Sequence, residues 1–210
     1  GVKDTFTITV KPIPTVNAVS SQTVCAGASI SAINFSGNAV AGVVYNWTGT
    51  NSSIGLAPSG AGNIAGFTAI NTGVNIEYDT ITVTPIANGC PGAPISFVIT
   101  VNPTPTVLPT ADQIICGGTP TAAINFSGNA VAGVSYTWTE FGPSIGNTSI
   151  SPGNIASFIG STGTNPSVSM IVVTPLANGC PGLNDTLSIT VNPIPTVNAV
   201  SSQTVCAGAS

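Results

Sequence analysis

Residues 194–210 copy residues 13–29 without a single change, at an offset of 181 positions. Inside that long period lies a shorter one, because Ile33–Val43 returns whole as Ile124–Val134, 91 residues further on. Cys25 maps to Cys116 and Trp47 to Trp138 at the same offset, whereas Cys90 maps to Cys180 and Val101-Asn102-Pro103 to Val191-Asn192-Pro193 at an offset of 90. Residues 13–29 match 194–210 far better than they match 104–119, so the genetic unit is a pair of slightly different modules. A chain of this kind folds as one small unit used repeatedly, and the expectation is a window on a longer repeating polymer.

Composition narrows the class. Only 4% of the residues are charged, there is no His and no Arg, and 24 Gly and 17 Pro stand among abundant Ser, Thr and Asn. A net charge of −4 without a basic cluster leaves nothing to neutralise a phosphate backbone, so nucleic acid is not a partner. Low charge with 42% hydrophobic residues is the reverse of the balance found in disordered chains. No run of about 18 apolar residues exists to insert into a membrane, and Gly1-Val2-Lys3-Asp4 does not open a signal peptide. Five cysteines at repeat-locked positions point to export into an oxidising, extracellular setting at the cell surface.

Apolar periodicity is two throughout. Phe6, Ile8 and Val10 alternate with Thr5, Thr7 and Thr9 and read as the last strand of a preceding module, matched by Ile95–Val101 and by Leu187, Ile189 and Val191. Each such strand ends in a proline joint: Lys11-Pro12-Ile13-Pro14, Asn102-Pro103-Thr104-Pro105 and Asn192-Pro193-Ile194-Pro195. Paired prolines fix φ and remove donors, which makes the joints extended and stiff. The modules are therefore expected at 12–102 and 103–192, with 1–11 the last strand of one neighbour and 193–210 the first strand of the next. Within a module the pattern predicts strands over 16–24, 29–35, 43–48, one or two short pieces in 49–72, then 75–84 and a final strand. About seven short strands with turn signals and no helical period predict an all-β, immunoglobulin-like sandwich.

The order Cys-x-Gly, Ile-Asn-Phe-Ser-Gly, Tyr-x-Trp-Thr, Gly-Asn-Ile-Ala, Val-Thr-Pro, Ala-Asn-Gly-Cys-Pro-Gly and Ile-Thr-Val-Asn-Pro resembles the PKD-like, immunoglobulin-fold repeats of giant Bacteroidetes surface proteins, among them type IX-exported gliding-motility adhesins. The resemblance covers both modules. It departs from PKD domains proper, which carry a Trp-Asp-Phe-Gly-Asp-Gly type segment where this chain has Trp47-Thr48-Gly49-Thr50. It implies a stalk or filament repeat of a long adhesin, with neighbouring modules of the same polypeptide as its first partners. Weak glycan or partner binding by avidity, and self-association into a fibre or lattice, are the alternative readings.

Catalytic chemistry has little to work with. General acid–base catalysis needs His or a perturbed carboxylate pair, and nucleophilic Ser needs a base beside it; both Lys residues, Lys3 and Lys11, lie in the flank. The reading is therefore no enzyme and no cofactor. Without His or a Cys-x-x-Cys pair zinc has no site. Glu77 and Asp79 share a strand face and would suit calcium, but Ser167 and Ser169 replace them in the second module, so no metal is expected. Tyr45 with Trp47, and Tyr136 with Trp138, alternate along a strand as core aromatics do, in preference to a sugar-stacking platform.

Two cysteine pairings stay open. Each module closes on itself, Cys25 with Cys90 and Cys116 with Cys180, or a staple joins successive modules, Cys25 with Cys180. The second is favoured, because in an immunoglobulin-like sandwich the turn after the first strand and the loop before the last lie at opposite ends. About nine residues of strand span roughly 30 Å, while bridged Cα atoms approach within about 7 Å. Cys90, Cys116 and Cys206 then pair outside this window. Asp-Thr followed by an apolar residue, at Thr5, Thr80 and Thr186, resembles the O-glycosylation sequence of exported Bacteroidetes proteins. Modification there raises the intact mass of the native protein above the 20.7 kDa of the chain, and unmodified peptides covering all three threonines would exclude it.

Overall fold

The computed structural model describes Gly1 and residues 3–208. The Cα trace divides into two units: residues 1–107, 127–135 and 174–184 form the first, and residues 108–126, 136–173 and 185–210 the second. The strands of the first sequence module are β1 (Gln22–Cys25), β2 (Ser29–Ile30), β3 (Val44–Gly49), β4 (Ser59–Ala61), β5 (Phe67–Thr68), β6 (Glu77–Ala87), β7 (Cys90–Pro91) and β8 (Ile95–Asn102), with one 3₁₀ turn at Ser52–Ile54. Those of the second are β9 (Gln113–Cys116), β10 (Ser135–Phe141), β11 (Ser167–Ala177), β12 (Cys180–Pro181) and β13 (Asp185–Asn192). In the first module one sheet runs β1-β8-β6-β3-β4 with β7 also on β6, and β2 pairs β5 separately. The second repeats the plan as β10-β11-β13-β9, with β12 on β11.

Alternation builds the core. Ile81 and Val83 of β6 face the same way as Phe97, Ile99 and Val101 of β8, and all five are buried, at 0–2% exposure. β6 and β8 run antiparallel from Glu77↔Val101 to Val83↔Ile95, so one ladder aligns both apolar rows, each buried side chain contributing roughly 1.5–3 kcal/mol. Trp47 on β3, Ile33, Phe35, Ile54, Leu56 and Ile64 close over them. The indole lies across its cross-strand partner Gly60, where a Cβ would collide with the ring. In the second unit Ile145, Ile155, Ile171 and Ile189 are each fully buried. Tyr45 packs against the first core, Tyr136 and Trp138 are half-buried, and Trp138 Nε1 donates to Gly153 O at 2.9 Å.

The structure departs from several sequence expectations. Gly1 and residues 3–11 carry no strand, and Phe6, Ile8 and Val10 are 85%, 77% and 87% exposed. Residues 193–208 likewise carry no strand, while 209–210 lie outside the described residues. The first strand is only β1, because 15–17 are tied by side chains instead: Asn38 Oδ1 accepts from Thr15 N (2.9 Å) and Thr15 Oγ1 from Asn38 N (3.0 Å). The strand expected over 29–35 shrinks to β2 and a single bridge, Ile33↔Ile64, since Phe35 N donates to Asn63 Oδ1. β6 also runs on through Pro85, which was expected to end it. Pro85 keeps its carbonyl in use, accepting from Gly92 N at 2.8 Å. Replacing Trp47 by Ala removes the ring from this packed site and should cost about 3–5 kcal/mol; a denaturation midpoint indistinguishable from that of the unaltered chain would place Trp47 outside the core.

Candidate functional site: a repeated joint and its disulfide

The joint begins with a turn. Asn88 (φ 51°) and Gly89 (φ 81°) connect β6 to β7, and Asn178 (φ 51°) and Gly179 (φ 78°) connect β11 to β12. Two consecutive positive φ values define the type I′ hairpin that Asn-Gly favours, because its twist matches that of the strands. The hairpin presents Cys90 and Cys180 as the first residue of each return strand, paired with Ala87 and Ala177. At the other end of the module, β1 lies parallel to β8 with Cys25 beside Asn102, and Ala26 N donates to Asn102 O at 2.9 Å.

Cys25 and Cys180 are disulfide-bonded, with a Cα–Cα distance of 5.6 Å and 155 residues between them in sequence. Both belong to the first unit, although they occupy successive copies of the repeat. Cys180 is 1% exposed, and beside it Asn102 Nδ2 donates to Asn178 O at 3.1 Å. Cys90 lies at the opposite end of the sheet from Cys25: β6 meets the Asn102 end of β8 at Glu77 and meets Cys90 at Ala87. Ten residues of antiparallel strand span about 34 Å, far beyond disulfide reach. Cys90, Cys116 and Cys206 are free thiols.

The same joint occurs a second time within the first unit. Lys11, one repeat before Asn102, donates from Nζ to Asn88 O at 2.7 Å, as Asn102 donates to Asn178 O. A Cβ on Gly92 would collide with the carbonyl oxygen of Pro14, and one on Gly182 with that of Pro105. Pro14 and Pro105 are themselves buried. Proline joint and hairpin therefore dock identically at Lys11–Pro14 on 85–92 and at Asn102–Pro105 on 175–182, and glycine is needed where the two backbones touch.

The remaining singled-out residues do other work. Asp79 is buried; its Oδ1 accepts from Thr50 N (2.7 Å) and Asn51 N (3.0 Å), while Glu77 Oε2 accepts from Asn51 Nδ2 (2.7 Å). In the second module the carboxylate at this place comes from the facing strand, with Glu140 where Gly49 stands and Ser169 where Asp79 stands, and Ser169 Oγ donates to Glu140 Oε1 at 2.9 Å. Pairwise exchange of this sort marks a structural clasp of the strand crossing. Among the described residues no group of three or more His, Cys, Asp or Glu could hold a metal ion. Thr5 and Thr186 are exposed, whereas Thr80 is half-buried with its N–H donating to Thr50 Oγ1. A groove of ≈ 450 Å³ in the second unit, lined by Thr110, Gln113, Ile115 and Ile124 among others, carries no charged side chain. Among the described residues no helix is long and apolar enough to cross a membrane. The Asn-Gly hairpins, legible as turns, gave no hint that Lys11 and Asn102 dock on them; only the matching offset of these two residues carried a signal.

The repeated unit is an immunoglobulin-like β-sandwich. The family described as PKD-like domain matches residues 22–105. Among solved structures the chain is similar to Sidekick-1 immunoglobulin domains 1–4, at 12% identity and TM-score 0.50, over 85% of this chain and 48% of that one. It is also similar to titin domains I67–I69 in an E-to-A mutated variant (11% identity, TM-score 0.49, 85% of this chain and 65% of that one) and to the insect immune protein hemolin (12%, 0.46, 85% and 47%). The Sidekick-1 likeness shows the fold alone. No curated protein matches the sequence.

The joint yields a prediction. Gly182→Ala forces the hairpin off the Pro105 carbonyl and should lower the melting temperature by several degrees, while Gly179→Asn, at a positive φ that Asn tolerates, should change it by much less. Equal effects of the two substitutions would mean that the close approach at Gly182 does not matter.

Proposed function

We propose that the chain is a structural stalk repeat of a long extracellular adhesin, supplying reach and mechanical continuity, with modules at 12–102 and 103–192. The observation that carries this reading is the disulfide between positions in successive repeats, set into a joint that recurs at both copies of the hairpin. A covalent staple across a repeat boundary contributes nothing to ligand recognition; it resists separation of neighbours under tension. The PKD-like match and the immunoglobulin-like fold are compatible with it, since such sandwiches serve as spacers that hold a separate adhesive element away from a surface. The gliding-motility adhesins that the repeats resemble, their type IX export and threonine glycosylation belong to the same proposal.

Pulling the chain between Gly1 and Ser210 in a single-molecule instrument tests it. With the disulfide intact only the segments outside 25–180 can extend; after reduction, or in Cys25→Ser, about 154 more residues, roughly 540 Å of contour, should be released. Identical contour lengths before and after reduction would sink the mechanical reading. A glycan array probed with the same chain separates the alternative, because saturable binding supports a recognition module acting by avidity.

A further inference from the structure

We propose that in an array continuing the 181-residue period every module is stapled to the next by the same rule, so that the disulfides form two interleaved covalent paths along the polymer. The inference rests on the stalk reading for its purpose but on separate observations for its geometry. Cys116 is presented as Cys25 is: β9 runs parallel to β13 with Cys116 beside Asn192, Gly117 N donates to Asn192 O at 2.8 Å, and Thr119 N to Cys116 O at 3.1 Å, copying Ala26 N to Asn102 O and Ala28 N to Cys25 O. Cys90 is presented as Cys180 is, on an Asn-Gly hairpin of the same φ values. The docking of Lys11–Pro14 on that hairpin already reproduces the stapled joint, lacking only the cysteine of a preceding copy. Exposure follows the same logic. Cys180, bonded, is 1% exposed, whereas Cys90 is half-buried and Cys116 and Cys206 are exposed.

The rule joins the cysteine after the first strand of one module to the hairpin cysteine of the next. Cys116 then pairs with the copy of Cys90 one period on, Cys206 with the copy of Cys180 one period on, and Cys90 with a copy of Cys116 one period back. Each cross-link forms as two thiols lose two protons and two electrons to a disulfide-bearing oxidant, which leaves as two thiols. One covalent path crosses from Cys25 to Cys180, follows the chain to Cys206 and crosses again. The other follows the chain from Cys90 to Cys116 and crosses in the alternate joints. Each path exposes only about 26 residues per period to extension, at most roughly 90 Å, against roughly 630 Å for the uncrosslinked chain. The array is thus a covalent ladder with about a seventh of the stretch of a single chain.

A chain in which residues 30–210 are repeated once after Ser210, expressed in an oxidising compartment, decides the matter by thiol titration and non-reducing peptide mapping. The ladder leaves three thiols, the number in the present chain, and yields a Cys116 peptide linked to the second copy of the Cys90 peptide. Closure of each module on itself leaves one thiol and links Cys116 to Cys180. That result, a mixture of pairings or a fully reduced chain overturns the proposal. The stalk reading stands or falls separately, on glycan binding and on the pulling of residues 1–210.

Discussion

Everything in the first unit leans on the antiparallel ladder between β6 and β8. It is the one place where two long strands with opposed apolar rows run side by side, and its register puts Ile81 opposite Phe97 and Asp79 opposite Ile99. A slip of one residue would turn one of the two rows, Ile81 and Val83 or Ile99 and Val101, to solvent, so burial itself holds the register. The parallel strand β1 adds to β8, β3 adds to β6, and the short pieces between them need only cover what the ladder has already aligned. The second module repeats the ladder as β11 on β13, from Ser167↔Val191 to Val173↔Asp185.

The same ladder determines where the chemistry of the joint can lie. Because β6 is eleven residues long, its Asn-Gly turn and the Cys25 end of β1 are separated by the length of the sheet, and no side chain bridges them. A cysteine at each end is useless within one module and useful only across a boundary. The proline joint completes this arrangement: it brings Asn102 to the carbonyl of Asn178 and seats Pro105 over Gly182, while Lys11 and Pro14 do the same on the preceding hairpin. The lysine and the asparagine differ in charge and length but meet the same acceptor, a backbone carbonyl that any donor of sufficient reach satisfies.

Tolerance of this kind recurs in the buried carboxylates. Asp79 faces Gly49 in one copy and Ser169 faces Glu140 in the other, so the anion is supplied from opposite strands to a similar place. What is retained is hydrogen-bond acceptance at the strand crossing, where an unpaired backbone donor would cost roughly 1–3 kcal/mol. Glu77 and Asp79 of β6 are both engaged from the facing loop, Asp79 Oδ1 accepting from Thr50 N and Asn51 N and Glu77 Oε2 from Asn51 Nδ2, while Asp79 Oδ2 is buried without a hydrogen-bond partner.

The sequence by itself determined the repeat, the all-β class, the inward rows of β6, β8, β11 and β13, and the Asn-Gly turns, because period-two alternation and turn chemistry are local properties that survive without a partner. It failed where a segment's state depends on distant residues. Residues 15–17 are held by Asn38 and Ser36 in place of a ladder. Pro85 looks like a stop but stays in its strand, since its carbonyl finds Gly92. Only the tertiary structure decided that Lys11 and Asn102 both dock on a hairpin and that Cys25 meets Cys180, because these contacts join positions about 76 and 155 residues apart, and no local pattern encodes which distant backbone a side chain will meet once the sheets have formed.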